Sequence, residues 1–222
     1  MLTTGSDFQL AAVHPGLRPA EVHLWLVRLD AFDPACEATL THEEWLRAGR
    51  FHHAIDRHRY IAARGTLRAI LGDYSGIEAG DLRFAKGPRG KPSLPDSLLR
   101  FNLSHSEDLM LVAVTHGREV GVDLEAVRGN IPFEMLAEHY FCAEDQWALR
   151  VAPAEERLGK FFALWTRTEA QLKARGLGVG DEPSFPDADR FTLHTFEPAD
   201  NYAAALVVEG CDFELSCWQW PS

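Results

Sequence analysis

The sequence is short of cysteine, of long apolar runs and of positive charge, and each shortage narrows what the chain is. Its four cysteines are Cys36, Cys142, Cys211 and Cys217, and none forms a C-x-x-C pair. Zinc-ribbon and thioredoxin-like sites are therefore disfavoured, and so few thiols in 222 residues fit a reduced, cytoplasmic setting. The longest apolar runs, "LMLVAV" and "YAAALVV", fall far short of the roughly 20 residues that span a bilayer. The first twenty residues lack the basic-then-apolar order of a signal peptide, so no membrane partner is expected. Lys and Arg number 22 against 33 Asp and Glu, a formal net charge of −11, which argues against a general nucleic-acid binder. There is no direct repeat and no low-complexity segment.

What is present fits a packed globular chain: 46% hydrophobic residues, with thirteen Phe and six Trp. The length suits one large domain or two small ones. Charge is unevenly placed. Arg47, Arg50, Arg57, Arg59, Arg64 and Arg68 gather between residues 42 and 68 with four histidines, against Glu43, Glu44 and Asp56. That stretch suits an anionic partner or, more plainly, a solvated helix face.

Residues 1–20 read as a loose extension. "EVHLWLVRL" reads as a strand. "THEEWLRAGRF" opens with a capping box, Thr41 with Glu44. "HRYIAARGTLRAILG" has helical spacing and a stop at Gly72. "AKGPRGKPSLPDS" is a loop, and "FNLSHSEDLMLVAVTHGREVGVDLE" reads as two strands paired across a "THGRE" turn. "PAEERLGKFFALWTRTEAQLKARG" reads as a helix from Pro153 to a Gly176 cap, followed by a loop over residues 177–189 and closing strands "NYAAALVV" and "FELSCWQW". Mixed elements without strict βαβ alternation place the fold in the α+β class.

The chemistry concentrates in "GVDLE". Asp123 and Glu125 share one face of a strand, and crowded like charges call for a cation between them. On the long helix, Glu169 follows Trp165 by one turn at the edge of the stripe Phe161, Leu164, Trp165, Thr168 and Leu172, with Lys173 one turn on. A Glu–Lys pair at that spacing is the plain alternative, worth about 0.2–0.5 kcal/mol. If Glu169 faces Asp123 and Glu125, three carboxylates make an oxygen site for a hard dication such as Mg²⁺.

"GVDLE" and "WTRTEAQLK", with "GKP" (residues 90–92) and "FNLSHS" (residues 101–106) before them, resemble in type and order the signatures of the 4′-phosphopantetheinyl transferases, which include G-x-D-x-E and W-x-x-K-E-x-x-x-K. The likeness runs roughly from residue 45 to 180, and the size is similar to the longer, surfactin-synthetase-type monomeric branch. The resemblance implies two similar α+β halves related by a pseudo-twofold axis, taken as 21–117 and 118–222, with the active site in the cleft between them. It implies transfer of the 4′-phosphopantetheine arm from coenzyme A to a serine of an acyl, peptidyl or aryl carrier protein, with Mg²⁺ or Mn²⁺ as cofactor. By the same resemblance Asp123, Glu125 and Glu169 are metal ligands, Glu169 is the base, and Lys173 lies at the diphosphate. Ser104 and His105, placed in an "SHS" turn, and Lys91 are phosphate or nucleotide contacts. Arg64 and Arg47 grip the 3′-phosphate.

One position departs from the pattern. Where the family has a lysine before the glutamate, this chain has Thr168, with Arg167 beside it pointing elsewhere on the helix. "YFCAEDQ" resembles the family's F-S-x-x-E segment and makes Asp145 a second candidate base. Residues 133–147 offer an apolar side for carrier docking. A non-catalytic coenzyme A or carrier-binding module, and a Mg²⁺-dependent phosphohydrolase, are the competing functions.

Overall fold

The computed structural model describes residues 8–10, 16–31, 34–178 and 187–221. Most of the expected N-terminal extension and most of the expected loop at 177–189 lie outside these. The elements in chain order are β1 (Gln9–Leu10), β2 (Glu21–Arg28), α1 (His42–Ala48), α2 (Ala54–Ser75), β3 (Ala85–Lys86), β4 (Pro92–Ser93), β5 (Leu99–Ser106) and β6 (Leu109–His116). Then follow β7 (Val120–Ala126), α3 (Phe133–Tyr140), α4 (Ala143–Arg150), α5 (Arg157–Arg175), β8 (Phe191–Phe196), β9 (Tyr202–Glu209) and β10 (Glu214–Gln219).

They build an α+β molecule in layers. A five-stranded sheet has the order β1-β10-β2-β6-β5, and a three-stranded sheet the order β7-β9-β8. On one side of the larger sheet, Trp25, Val27, Phe101, Met110 and Val112 pack with Leu67, Ile70 and Leu71 of α2. On its other side, Leu24, Leu109 and Leu111 meet Val122, Leu124 and Leu206 of the smaller sheet. Strand β6 is thus covered on both faces, which is why "LMLVAV" is continuously apolar rather than alternating. Helix α5 covers the outer face of the smaller sheet. Strand β10 crosses back to run parallel between β1 and β2.

Three local expectations are corrected. The hairpin closes at Glu107 and Asp108, joining β5 to β6, while "THGRE" carries the chain into the other sheet, where β7 pairs with β9. Glu107 takes a positive φ of 49° there, a turn that lacks the usual Gly or Asn signal. Helix α2 runs through Gly72 to a left-handed cap at Gly76. Gly72 is needed because a side chain would approach Ile77 O to 2.9 Å. Helix α5 starts at Arg157, leaving Pro153 in the preceding turn, and Gly176 caps it as expected. The Thr41–Glu44 capping box is formed.

A buried polar group in the larger sheet carries a stability prediction. His23 is 1% exposed, with Nδ1 2.6 Å from the Tyr74 hydroxyl, which also accepts from Trp25 Nε1 at 2.9 Å. Burial pushes the His23 pKa down against the opposing charge of Glu21. The unfolded chain therefore takes up a proton near pH 6.5 that the folded chain refuses, and stability falls as pH drops through that value. Urea midpoints at about pH 7.5 and 5.5 should differ more for the wild type than for His23→Gln. Equal sensitivity in the two would clear His23.

Candidate active site

Strand β7 alternates. Val120, Val122 and Leu124 enter the core between the sheets, so Gly121, Asp123 and Glu125 face α5. Their partners on β9 are Val207, Ala205 and Ala203, and α5 presents Ala170 and Ala174 to the same face. Small residues on both sides let the helix press close to the strand. A Cβ on Gly121 would stand 2.1 Å from Ala170 O and 2.3 Å from Ala174 N. This approach carries Glu169 and Lys173, the sequence neighbours of those alanines, to the acids of β7.

Lys173 Nζ donates to Asp123 Oδ1 at 2.6 Å and to Ser104 Oγ at 3.0 Å, while Ser104 Oγ donates to the same Asp123 oxygen at 2.8 Å. Glu125 Oε2 accepts from Ser106 Oγ at 3.0 Å. Burial, with the Asp123 charge next in weight, pushes both Glu125 and Glu169 above the ordinary carboxylate range. The three acids therefore sense one another, as the sequence suggested. They do not form a closed cage: among the described residues no three His, Cys, Asp or Glu side chains are gathered to hold an ion alone. One atom is left over. Asp123, 2% exposed, has its Oδ2 buried without a hydrogen-bond partner, a costly state that a cation would relieve.

Ser104 and His105 lie on strand β5, not in a turn, and point opposite ways. Asn102, Ser104 and Ser106 reach across to β7. Asn102 Oδ1 accepts from Val122 N at 2.8 Å, and Ser106 Oγ from Ala126 N at 3.1 Å. Side chains thus replace a backbone ladder between facing edge strands of the two sheets. Ser104 thus bonds both Asp123 and Lys173. Sequence reasoning misses Asn102, although its period-two spacing with the serines is visible there.

The other face of β5 lines a cleft of about 900 Å³ through Leu103 and His105. Arg47, Arg50, Arg64, Arg68, Arg83 and Lys86 also line it. Arg64 and Arg47 stand on the cleft wall, with Arg64 4.3 Å over the Phe84 ring and Arg47 5.4 Å over Tyr60. Glu44, the capping-box acid, bonds Arg64 and both Nε and Nη2 of Arg68. Burial alone would push the Glu44 carboxyl up, but the bonds from Arg68, Thr41 N–H and Arg64 outweigh it and hold it down. His105 is exposed on the cleft wall, and partial desolvation there, with the Lys173 and Arg59 charges, pushes its pKa down. Arg83 and Lys86, missed from sequence, flank the "GKP" loop without any spacing signal.

Two expected contacts lie elsewhere. Gly90 and Pro92 line the cleft, but Lys91 turns its ammonium away, to Glu119 Oε2 at 3.0 Å and to the carbonyls of Val120 and Ala174 at 3.1 Å. Asp145 is ion-paired with Arg167, and Thr168 Oγ1 bonds back to Leu164 O at 3.0 Å. In the segment 133–147, Ala137 and Phe141 are core, while Met135 and Trp147 are 62% and 63% exposed.

Residues 119–218 match the family model for the 4′-phosphopantetheinyl transferase superfamily, and residues 25–117 match the model for the N-terminal part of 4′-phosphopantetheinyl transferase. The sequence is 39% identical over 219 residues to the 4′-phosphopantetheinyl transferase HetI of Nostoc sp., covering 90% of this chain and 92% of that protein. It is 30% identical over 182 residues to a phosphopantetheinyl transferase of Thraustochytrium sp., covering 73% of this chain and 63% of the other. Against the 4′-phosphopantetheinyl transferase Sfp of Bacillus subtilis the identity is 28% over 131 residues, 59% of this chain and 57% of that one.

Proposed function

The chain belongs to the 4′-phosphopantetheinyl transferase superfamily, and on that premise we propose that it moves the 4′-phosphopantetheine arm of coenzyme A onto a serine of an apo carrier protein, releasing adenosine 3′,5′-bisphosphate. The observation that carries this reading is the cation-lined cleft, whose wall residue His105 feels the charge of Lys173, itself bonded to Asp123. A nucleotide in the cleft would thereby present its diphosphate to the acids of β7 and α5.

Arg64 and Arg47 suit the 3′-phosphate, since a guanidinium grips a terminal phosphate in bidentate fashion. His105 donates a ring N–H toward the diphosphate. Lys173 gives one N–H to Asp123 and one to Ser104, which leaves the third of its donors for a phosphoryl oxygen. Glu169, held above the usual range, takes the proton of the attacking carrier serine. The serine oxygen bonds to the β-phosphorus as the bond to the leaving nucleotide breaks. Asp123 through its orphaned Oδ2, Glu125 and Glu169 would hold Mg²⁺ or Mn²⁺, with water and phosphate completing the shell. When bound, such an ion neutralises the diphosphate and the developing charge on the leaving group.

We take 21–117 and 118–222 as the two halves, with β10 of the second completing the sheet of the first, and residues 1–20 as an extension of which Gln9–Leu10 adds an edge strand to that sheet, in a cytoplasmic monomer that binds no nucleic acid. No helix among the described residues is long and apolar enough to cross a membrane.

The test is to incubate the protein with coenzyme A, Mg²⁺ and apo acyl, peptidyl and aryl carrier proteins, and to weigh the carriers. One phosphopantetheine arm per carrier is expected. Consumption of coenzyme A without labelling would make the protein a hydrolase, and neither change would make it a binding module. Excess chelator should stop labelling, with added Mg²⁺ restoring it. Full labelling in metal-free buffer would remove the ion from the scheme.

A further inference from the structure

We propose that Lys91 is a positioning residue that bolts the end of helix α5 to the start of strand β7, and so holds Lys173 on Asp123, rather than a nucleotide contact. The inference rests on the transferase reading above.

A lysine ammonium has three donors and no acceptor. Those of Lys91 meet Glu119 Oε2 at 3.0 Å, Val120 O at 3.1 Å and Ala174 O at 3.1 Å. None remains for a phosphate while these bonds stand. The three acceptors come from two places that must stay in register. Glu119 and Val120 lead directly into Gly121 and Asp123. Ala174 directly follows Lys173, and its carbonyl belongs to the last turn of α5, where backbone acceptors lack intrahelical partners. A cation there also complements the negative end of the helix. The bolt sits beside the closest helix–strand approach, where Gly121 leaves room for Ala174 N.

The backbone of the same residue does something different. Lys91 O accepts from Gly87 N at 2.9 Å, closing a turn in which Gly90 holds φ at +84°. The flanking Gly90 and Pro92 form the lip of the cleft. One residue therefore joins the lip of the cation-lined cleft to the helix that carries Glu169 and Lys173. Losing the side chain frees the last turn of α5 while leaving the cleft cations, Arg64 and Arg47 among them, in place. The expected signature is a loss in turnover without a loss in coenzyme A binding.

The experiment compares Lys91→Met, Lys91→Arg and Glu119→Gln with the wild type, by steady-state kinetics at varied coenzyme A and by amide hydrogen exchange. For Lys91→Met, kcat should fall about 10- to 100-fold, the scale of a roughly 1 Å misplacement, with KM for coenzyme A within about twofold. Exchange at the Gly176 and Leu177 amides, which close the last turn of α5, should quicken by about tenfold. Lys91→Arg should recover most of the kcat, because a guanidinium reaches two of the three acceptors. Glu119→Gln, which keeps both carbonyl bonds, should lower kcat about two- to fivefold and serves if Lys91→Met does not fold. A rise in KM at unchanged kcat would make Lys91 a nucleotide contact and overturn the proposal. So would unchanged kcat in Glu119→Gln, or unchanged exchange in Lys91→Met. Failure of the wild type to label any carrier would instead sink the transferase reading, and the exchange data would still decide the bolt.

Discussion

Glu169→Gln is expected to lower turnover by about 10²–10⁴-fold, the range of a well-placed general base, without weakening the fold. Glutamine matches glutamate in shape and removes only the charge and the basicity. Burial and Asp123 already press the Glu169 carboxyl toward its neutral form, so the native state gains nothing from its charge. The urea midpoint of the variant should equal or exceed that of the wild type, whereas loss of a paired acid would lower it. Carrier labelling followed by mass spectrometry supplies the rate. Turnover within a fewfold of the wild type would strip Glu169 of its role as base.

The largest effect on stability should come from Gly121→Ala. The added methyl would lie 2.1 Å from Ala170 O and 2.3 Å from Ala174 N, both backbone atoms that no rotamer change can move. Overpacking typically costs 1–3 kcal/mol. With rigid backbone on the far side, a loss of at least about 3 kcal/mol is expected. Labelling activity should fall with it, because pushing α5 outward withdraws Lys173 from Asp123. Gly159, on the same helix, is the control: a Cβ there meets nothing within 4 Å. Its change to Ala should stabilise by about 0.5–1 kcal/mol through helix propensity. Equal, small effects at the two glycines would show that the close approach is not what places the site.

That contrast marks how far the sequence could be read. Asp123, Glu125, Glu169 and Lys173 were legible because strand alternation and helix spacing are local rules, and each side chain needed only its own element to be right. Arg64 and Arg47 were named through the family resemblance, not by these rules. The bonding partners of Lys91, Ser104 and Asp145 were not legible, because they lie far along the chain: Ala174, Asp123 and Arg167. Spacing cannot tell an ammonium aimed at a ligand from one aimed at a carbonyl. The hairpin was misplaced because Glu107 and Asp108 form a turn with no glycine, while the glycine at 117 advertised one. The α+β class survived these errors, since it depends on which elements exist and not on how they join.

Strand β10, residues 214–219, sits between β1 and β2. During synthesis the first sheet is therefore left gapped, with β2 bare along one edge, until residues 214–219 have emerged from the ribosome. A gene split between codons 117 and 118 should yield a first fragment that clumps on its own and becomes well behaved only when the second fragment supplies the missing strand.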